Sequence, residues 1–325
     1  MSAITPLPER ELRALLDRYA LGSLETYWPA SGGIENSNYF VRVSGANGSQ
    51  EVVLTMLEQP PAAGDLLVPL LDLCDEAGLP IAPIIRNRSG AAREEVQGRA
   101  TLIAPRLVGR HILHPTARHC ETVGRFLARF HVATRVLAEA APAHPRDSAW
   151  LVAKLQIAGR SLPFSHSTLL KDAIASVSSL LARADVRLLP RGIVHGDLFR
   201  DNALFTERGL TGVLDFHHAS AGHLLYDLAV AANDWCSDSS GMLDRGRTIA
   251  MLRAYHAHRP LCEAELWFFP LFALYAAVAF WISRLVAVAS AATARVRMKD
   301  PDEFRRIVQQ HRAHLLYVDR REFEI

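Results

Sequence analysis

The stretch that decides the fold is HGDLFRDN, residues 195–202. It places His195, Asp197, Arg200, Asp201 and Asn202 within eight residues of a chain in which only 22% of residues are charged. Apolar Gly192-Ile193-Val194 leads in, and Ala203-Leu204-Phe205 leads out. A polar turn, Thr206-Glu207-Arg208-Gly209, precedes a second run, Leu210-Thr211-Gly212-Val213-Leu214, which ends in Asp215-Phe216. The plan is loop, strand, tight turn, strand, acid. A hairpin brings its two ends together, so Asp197, Asn202 and Asp215 converge at one end of a small β patch.

Phosphoryl transfer calls for such a set. One carboxylate must orient the attacking hydroxyl and accept its proton, and hard oxygen ligands must hold Mg²⁺ against the nucleotide phosphates. Asp197 suits the first role; Asn202 and Asp215 suit the second. The Asp-x-x-x-x-Asn spacing, followed one hairpin later by an acid, is that of a kinase catalytic loop and its metal-binding Asp. An isolated His-x-Asp is more often an Asx-turn beside a strand; the added Asn and the later acid make the arrangement specific. Residues 32–41 (GGIENSNYFV) gain meaning beside it, because a glycine-containing turn before a strand can cover phosphates with backbone N–H groups.

Working outward, the periodicity divides the chain. Leu12, Leu15, Leu16 and Tyr19 fall at helical spacing in residues 7–20. Tyr39–Val43 and Glu51–Leu57 flank the turn cluster SGANGSQ (44–50), which predicts an antiparallel hairpin. Residues 64–78 read as a helix stopped by Gly78-Leu79-Pro80, and short apolar runs follow at 81–85 and 100–104. From about residue 116 the spacing is mostly helical, over 116–139, 147–158 and 167–183. The expectation is an α+β chain of two lobes: residues 1–104 a small antiparallel β-sheet N-lobe that binds nucleotide, 105–109 a hinge at Pro105 and Gly109, and 110–325 a mainly helical catalytic C-lobe.

Composition excludes other classes. The 325 residues are 50% hydrophobic and carry 36 basic against 34 acidic side chains, a net charge of +2. That balance predicts no nucleic-acid partner. Cys74, Cys120, Cys236 and Cys262 are scattered, so the reading is free thiols rather than zinc ligands. The start, MSAITPLPER, lacks the pattern of a signal peptide, and a cytoplasmic location is expected. Leu266–Ser283 is free of charge and reaches the ~18-residue membrane threshold; Pro270 near its start and its solitary occurrence favour a buried core helix, with no membrane partner.

Together these residues resemble the aminoglycoside phosphotransferase-like kinases, a branch of the protein-kinase-like fold. GIENSNYF, VLTMLE, HGDLFRDNALF, GVLDF, LLYDLAV, NDWC and KDPDEFRR, in that order, are similar to its homoserine-kinase subfamily. The resemblance implies ATP-dependent phosphorylation of a small hydroxyl substrate, the side-chain hydroxyl of L-homoserine, in threonine biosynthesis, with ATP and Mg²⁺ as cofactors. It implies Asp197 as the catalytic Asp, Asn202 and Asp215 as Mg²⁺ ligands, a phosphate-covering loop of Gly33, Ile34, Glu35, Asn36, Ser37 and Asn38, and adenine contacts from Pro105, Arg106 and Leu107. The strand Lys common in this fold is replaced by Thr55, which leaves Arg42 or a second Mg²⁺ to neutralise the phosphates. Phe216-His217-His218-Ala219-Ser220 departs from the subfamily's aromatic run, so His217 is a candidate for specificity. An amino-acid substrate needs partners for both charges: Arg200 for the carboxylate, Asp201 or Asp234 for the ammonium. Two rival readings are a kinase of this fold acting on another alcohol (an aminoglycoside, choline or a sugar) and a nucleotide-binding regulatory module without catalysis.

Overall fold

Alternation of burial explains the sheet at the start of the chain. In β2 (Ser37–Gly45) Tyr39, Val41 and Val43 are buried, and in β3 (Gly48–Met56) so are Val52, Leu54 and Met56. The two strands pair antiparallel with Val41 opposite Val52. One face of each strand is therefore apolar, and it buries against Leu12, Leu15 and Leu16 of α1 (Glu9–Leu16) in a single cluster. The computed structural model describes residues 5–30, 36–45, 48–59, 66–159, 162–290 and 299–323. It divides into two units: Met1–Gly109 with Thr211–Leu214, and Arg110–Leu210 with Asp215–Ile325.

The first unit carries a five-stranded antiparallel sheet in the order β1-β2-β3-β5-β4, with β1 Ser23–Pro29, β4 Glu94–Val96 and β5 Arg99–Pro105. Its second helix is α2 (Leu67–Glu76), which ends before Gly78 in the left-handed region. The expected hairpin and helices are present. Strand β1 is an addition: SLETYWP mixes acid, proline and aromatics, and as an edge strand with an irregularity between Leu24 and Thr26 it shows no clean alternation. The apolar run 81–85 forms no strand. Pro80 and Pro83 interrupt its donors, and only Ile81, bridged to Val213, and the Ile85 amide, donating to Ile103 O at 2.8 Å, join β structure.

The second unit is helical: α3 (Ala117–Ala133), α4 (Ser148–Ala158), α5 (Phe164–Ala182), α6 (Ala184–Arg187), then α7 (Leu224–Trp235), α8 (Arg245–His256), α9 (Glu263–Ser290) and α10 (Pro301–Ala313). Between α6 and α7 lie β6 (Arg191–Val194), β7 (Ala203–Thr206), β8 (Gly209–Val213) and β9 (Ser220–His223). Strands β7 and β8 form the expected hairpin. Strand β9 returns antiparallel to β6, Val194 opposite Ser220, and clamps the entrance to the loop at 195–202. Helices α3 and α8 touch where Gly124 sits; a β-carbon there would lie 2.2 Å from Met251 O. The apolar stretch is the middle of α9. It is long and apolar enough to cross a membrane, yet Phe272, Ala276, Val278, Trp281 and Ile282 are all buried within the unit, and Pro270 sits inside the helix without breaking it. Helix α7 runs beneath the loop and is buried along its whole length, Asp227 and Asp234 included.

Candidate active site

The loop after β6 is held from below by one acid. Gly196 takes a φ of +76°, which an L-residue rarely adopts, and this turns successive amides inward. The N–H groups of His195 and Gly196 donate to the two carboxylate oxygens of Asp227, at 2.6 and 2.7 Å. His131 Nε2 reaches the same carboxylate at 3.0 Å, and its Nδ1 meets the Tyr255 hydroxyl at 2.7 Å. Burial works against the charge of Asp227, but His131, His195 and the Gly196 amide together hold its carboxyl below the usual range. The His195 ring accepts from the Asp197 amide at 3.3 Å, and Trp235 Nε1 donates to Leu198 O at 3.1 Å. His195 is therefore scaffold, wholly buried.

Above that floor the acidic groups converge. Asn202 donates from Nδ2 to Asp197 O (2.8 Å) and Asp197 Oδ2 (3.0 Å), fixing the carboxylate. Oxygens of Asp197 and Asp215 and a ring nitrogen of His218 all lie within 4.8 Å of one another. Asp215 is in the left-handed region, φ +63°, a conformation that costs a non-glycine residue about 1–3 kcal/mol. Strain of this kind concentrates where geometry serves function. Burial pushes the Asp197 carboxyl up to about 6, with Asp215 adding to the rise and Arg146, His218 and Lys299 opposing it. The two carboxylates, with Asn202 beside them, offer the hard oxygen donors that a divalent cation takes, and a ring nitrogen of His218 lies within reach of the same point.

The other residues singled out from sequence fall in different places. Arg200 gives its backbone N–H, Nε and a terminal nitrogen to Asp234 at 2.6, 3.1 and 3.2 Å, and another nitrogen to Leu113 O at 2.9 Å. Asp234 lies buried beneath it. Burial outweighs that partner and raises the Asp234 carboxyl. Asp201 pairs with Lys299 at 2.6 Å, both half-exposed, and Lys299 also lies 4.9 Å over the Phe199 ring. His217 is exposed on the turn Phe216–His218.

In the first unit, Gly33, Ile34 and Glu35 lie outside the described residues. Asn36 Oδ1 accepts from the Glu58 amide at 3.3 Å, and the buried Ser37 hydroxyl donates to the Glu58 carboxylate. Thr55 donates to Asn38 Oδ1 at 2.7 Å across the β2–β3 pair. Pro105 ends β5, Arg106 pairs with Glu51 and lies 4.2 Å over the Phe40 ring, and Leu107 packs against Gly212. Arg42 is paired with Glu51 at 2.6 Å.

Two residues escaped the sequence reading. His218 is one position beyond the His217 that was singled out; the tight turn after Asp215 is what aims it at the acids. Arg146 stands about fifty residues before Asp197 with no motif around it, and only the folded chain shows its terminal nitrogen 3.4 Å from Gly196 O.

Residues 26–261 match the model of the phosphotransferase enzyme family. A homoserine kinase of Pseudomonas aeruginosa is 39% identical over 305 residues, 94% of each chain. A homoserine kinase of Methylobacillus glycogenes is 35% identical over 316 residues, 95% of each chain. Among solved structures, a spectinomycin phosphotransferase in complex with ADP and spectinomycin superimposes with a TM-score of 0.68 at 10% identity, over 94% of this chain and 95% of that one. An amicoumacin kinase in complex with AMP-PNP and Ca²⁺ gives 0.65 at 14%, over 94% and 92%. Both neighbours share the protein-kinase-like two-lobe fold expected from the sequence. With the acid pair and its asparagine in place and relatives matched over almost its whole length, the chain belongs to the phosphotransferase enzyme family and, within it, to the homoserine kinases.

Proposed function

We propose that this protein transfers the γ-phosphoryl group of ATP to the side-chain hydroxyl of L-homoserine, as in threonine biosynthesis. The observation that carries the chemistry is the convergence of Asp197, Asp215 and His218 within 4.8 Å, with Asn202 bonded to Asp197. Asp197 is the group that orients the attacking hydroxyl. A carboxyl near 6 is mostly ionised at neutral pH yet basic enough to take the proton as the O–P bond forms. Asn202 holds that carboxylate in one rotamer, so little reorganisation is needed at the moment of transfer. Asn202, Asp215 and His218 are assigned as the residues that would hold Mg²⁺, which when bound neutralises charge on the phosphate oxygens.

For the nucleotide, we keep the 33–38 loop, Thr55 and residues 105–107 as proposed contacts, to be tested by substitution. Since Arg200 and Asp234 satisfy each other, we assign them to bracing the loop. The test is a coupled assay with Mg-ATP and a panel of L-homoserine, other hydroxylated amino acids, choline and aminoglycosides. Turnover with homoserine alone, lost in Asp197→Asn, supports the reading; turnover with a different alcohol and none with homoserine refutes it.

A further inference from the structure

Beside the proposed base lies a guanidinium that touches the loop through one long hydrogen bond. Arg146 precedes Asp147, the N-cap of α4. Its backbone carbonyl accepts from the Tyr275 hydroxyl at 2.5 Å, and its guanidinium lies 4.2 Å over the Phe280 ring. One terminal nitrogen is 3.4 Å from Gly196 O, one residue before Asp197. Among the described residues, no carboxylate lies within ion-pair distance of Arg146. Arg200, Arg259 and Arg284, three partly buried arginines around α7–α10, each have one.

Its surroundings are polar and unfinished. The Tyr226 hydroxyl is buried next to Arg146 and makes no hydrogen bond of normal length. The His144 ring packs 4.5 Å from the Tyr226 ring, and its Nε2 is also unpartnered. Ser220 Oγ donates to His218 O at 3.2 Å, so at its 3.1 Å contact with His144 Nδ1 it acts as acceptor. Nδ1 therefore carries the hydrogen, and His144 is neutral: burial first, and Arg146 second, push it down to about 4. His144 and Tyr226, packed behind Arg146, thus offer it no negative charge of their own. A buried polar atom without a partner costs about 1–3 kcal/mol, and such a cost beside a base is expected where a ligand completes the site.

We infer that Arg146 is the specificity-determining residue that binds the carboxylate of the amino-acid acceptor, and so holds its side-chain hydroxyl at Asp197. The inference rests on the proposed homoserine kinase reading. Homoserine separates its hydroxyl oxygen from its carboxyl carbon by four bonds of ~1.5 Å, about 5 Å when extended. That span suits a guanidinium seated against the residue before the base. A planar guanidinium can grip a carboxylate with two parallel N–H bonds, whereas Arg200 has spent its donors.

The test compares wild type, Arg146→Ala and Arg146→Lys on two acceptors: L-homoserine and 3-amino-1-propanol, which is homoserine without its carboxylate. Assayed at pH 8 or above, where ionisation of Asp197 does not limit the rate, Arg146→Ala should raise KM for homoserine about 100-fold with kcat changed by less than about threefold, and change kcat/KM for the amino alcohol by less than about threefold. Arg146→Lys should recover part of the loss, and all three proteins should bind ATP and unfold alike. A fall of equal size on both acceptors assigns Arg146 to the phosphoryl group or the loop and overturns the inference, as does an unchanged KM for homoserine. Failure of the underlying reading is seen separately, in a wild type that does not phosphorylate homoserine at all, and it removes the inference with it.

Discussion

Asp227, fully buried, and Asp197, partly buried, are two acids of one loop region, and the protein treats them oppositely. Asp227 receives two backbone N–H groups and an imidazole, and its carboxyl is held low. Asp197 sits under partial burial with a second carboxylate alongside, and its carboxyl rises to about 6. The first arrangement is satisfied in every direction and fixes shape. The second is left in tension, with a strained Asp215 beside it and an Arg146 that, among the described residues, has no carboxylate partner. Chemistry is placed where the fold is least content, over a floor where it is most content.

The contrast can be broken at either end. The largest effect belongs to Asp197→Asn, which keeps the shape and removes the base. Its kcat should fall by about 10³-fold or more, with KM for ATP little changed, in steady-state assays. Next is Asp227→Ala. It leaves the His195 and Gly196 amides and the His131 ring unpaired in the core, and should lower unfolding free energy by about 3–5 kcal/mol in denaturant titration. Asp227→Asn, which retains one acceptor, should cost less.

A smaller change is expected from His218→Ala. The divalent-ion concentration for half-maximal rate should rise about tenfold while the maximal rate survives. If the ion requirement does not move, His218 plays no part in holding it. The pH limb is the finest probe. Since the ionised form of Asp197 is needed and burial raises its carboxyl to about 6, kcat/KM should fall about tenfold per unit as pH drops below that value. Arg146 opposes the rise, so Arg146→Ala should move the limb to higher pH.

Much of this was legible in the sequence, and unevenly. HGDLFRDN and the Asp215 that closes the following hairpin could be read because their relation is local: one loop and one turn set it. The β2–β3 hairpin and the apolar core of α9 were legible for the same reason, through period and turn residues. The edge strand β1 was not, because its pairing with β2 fixes it rather than its own pattern. Pro80 and Pro83 turned an apolar run into coil. Arg146 and His218 were missed because no local pattern marks either one. Arg146 reaches Gly196 across about fifty residues, and His218 depends on a left-handed Asp215 that no residue type announces.

The claim at the centre, that Asp197 is kept ionised at a cost in stability, has a direct measurement: thermal unfolding of Asp197→Asn against wild type at pH 8, without nucleotide or metal. The folded-state carboxyl lies above its ordinary value, so the native protein binds that proton more tightly than the unfolded chain. Stability from this group is present at low pH, is lost as pH rises through about 6, and is missing at pH 8. A neutral isostere removes the deficit, roughly 3 kcal/mol. The variant should therefore be inactive and melt about 4 °C higher than wild type; an inactive variant that melts lower would contradict the account.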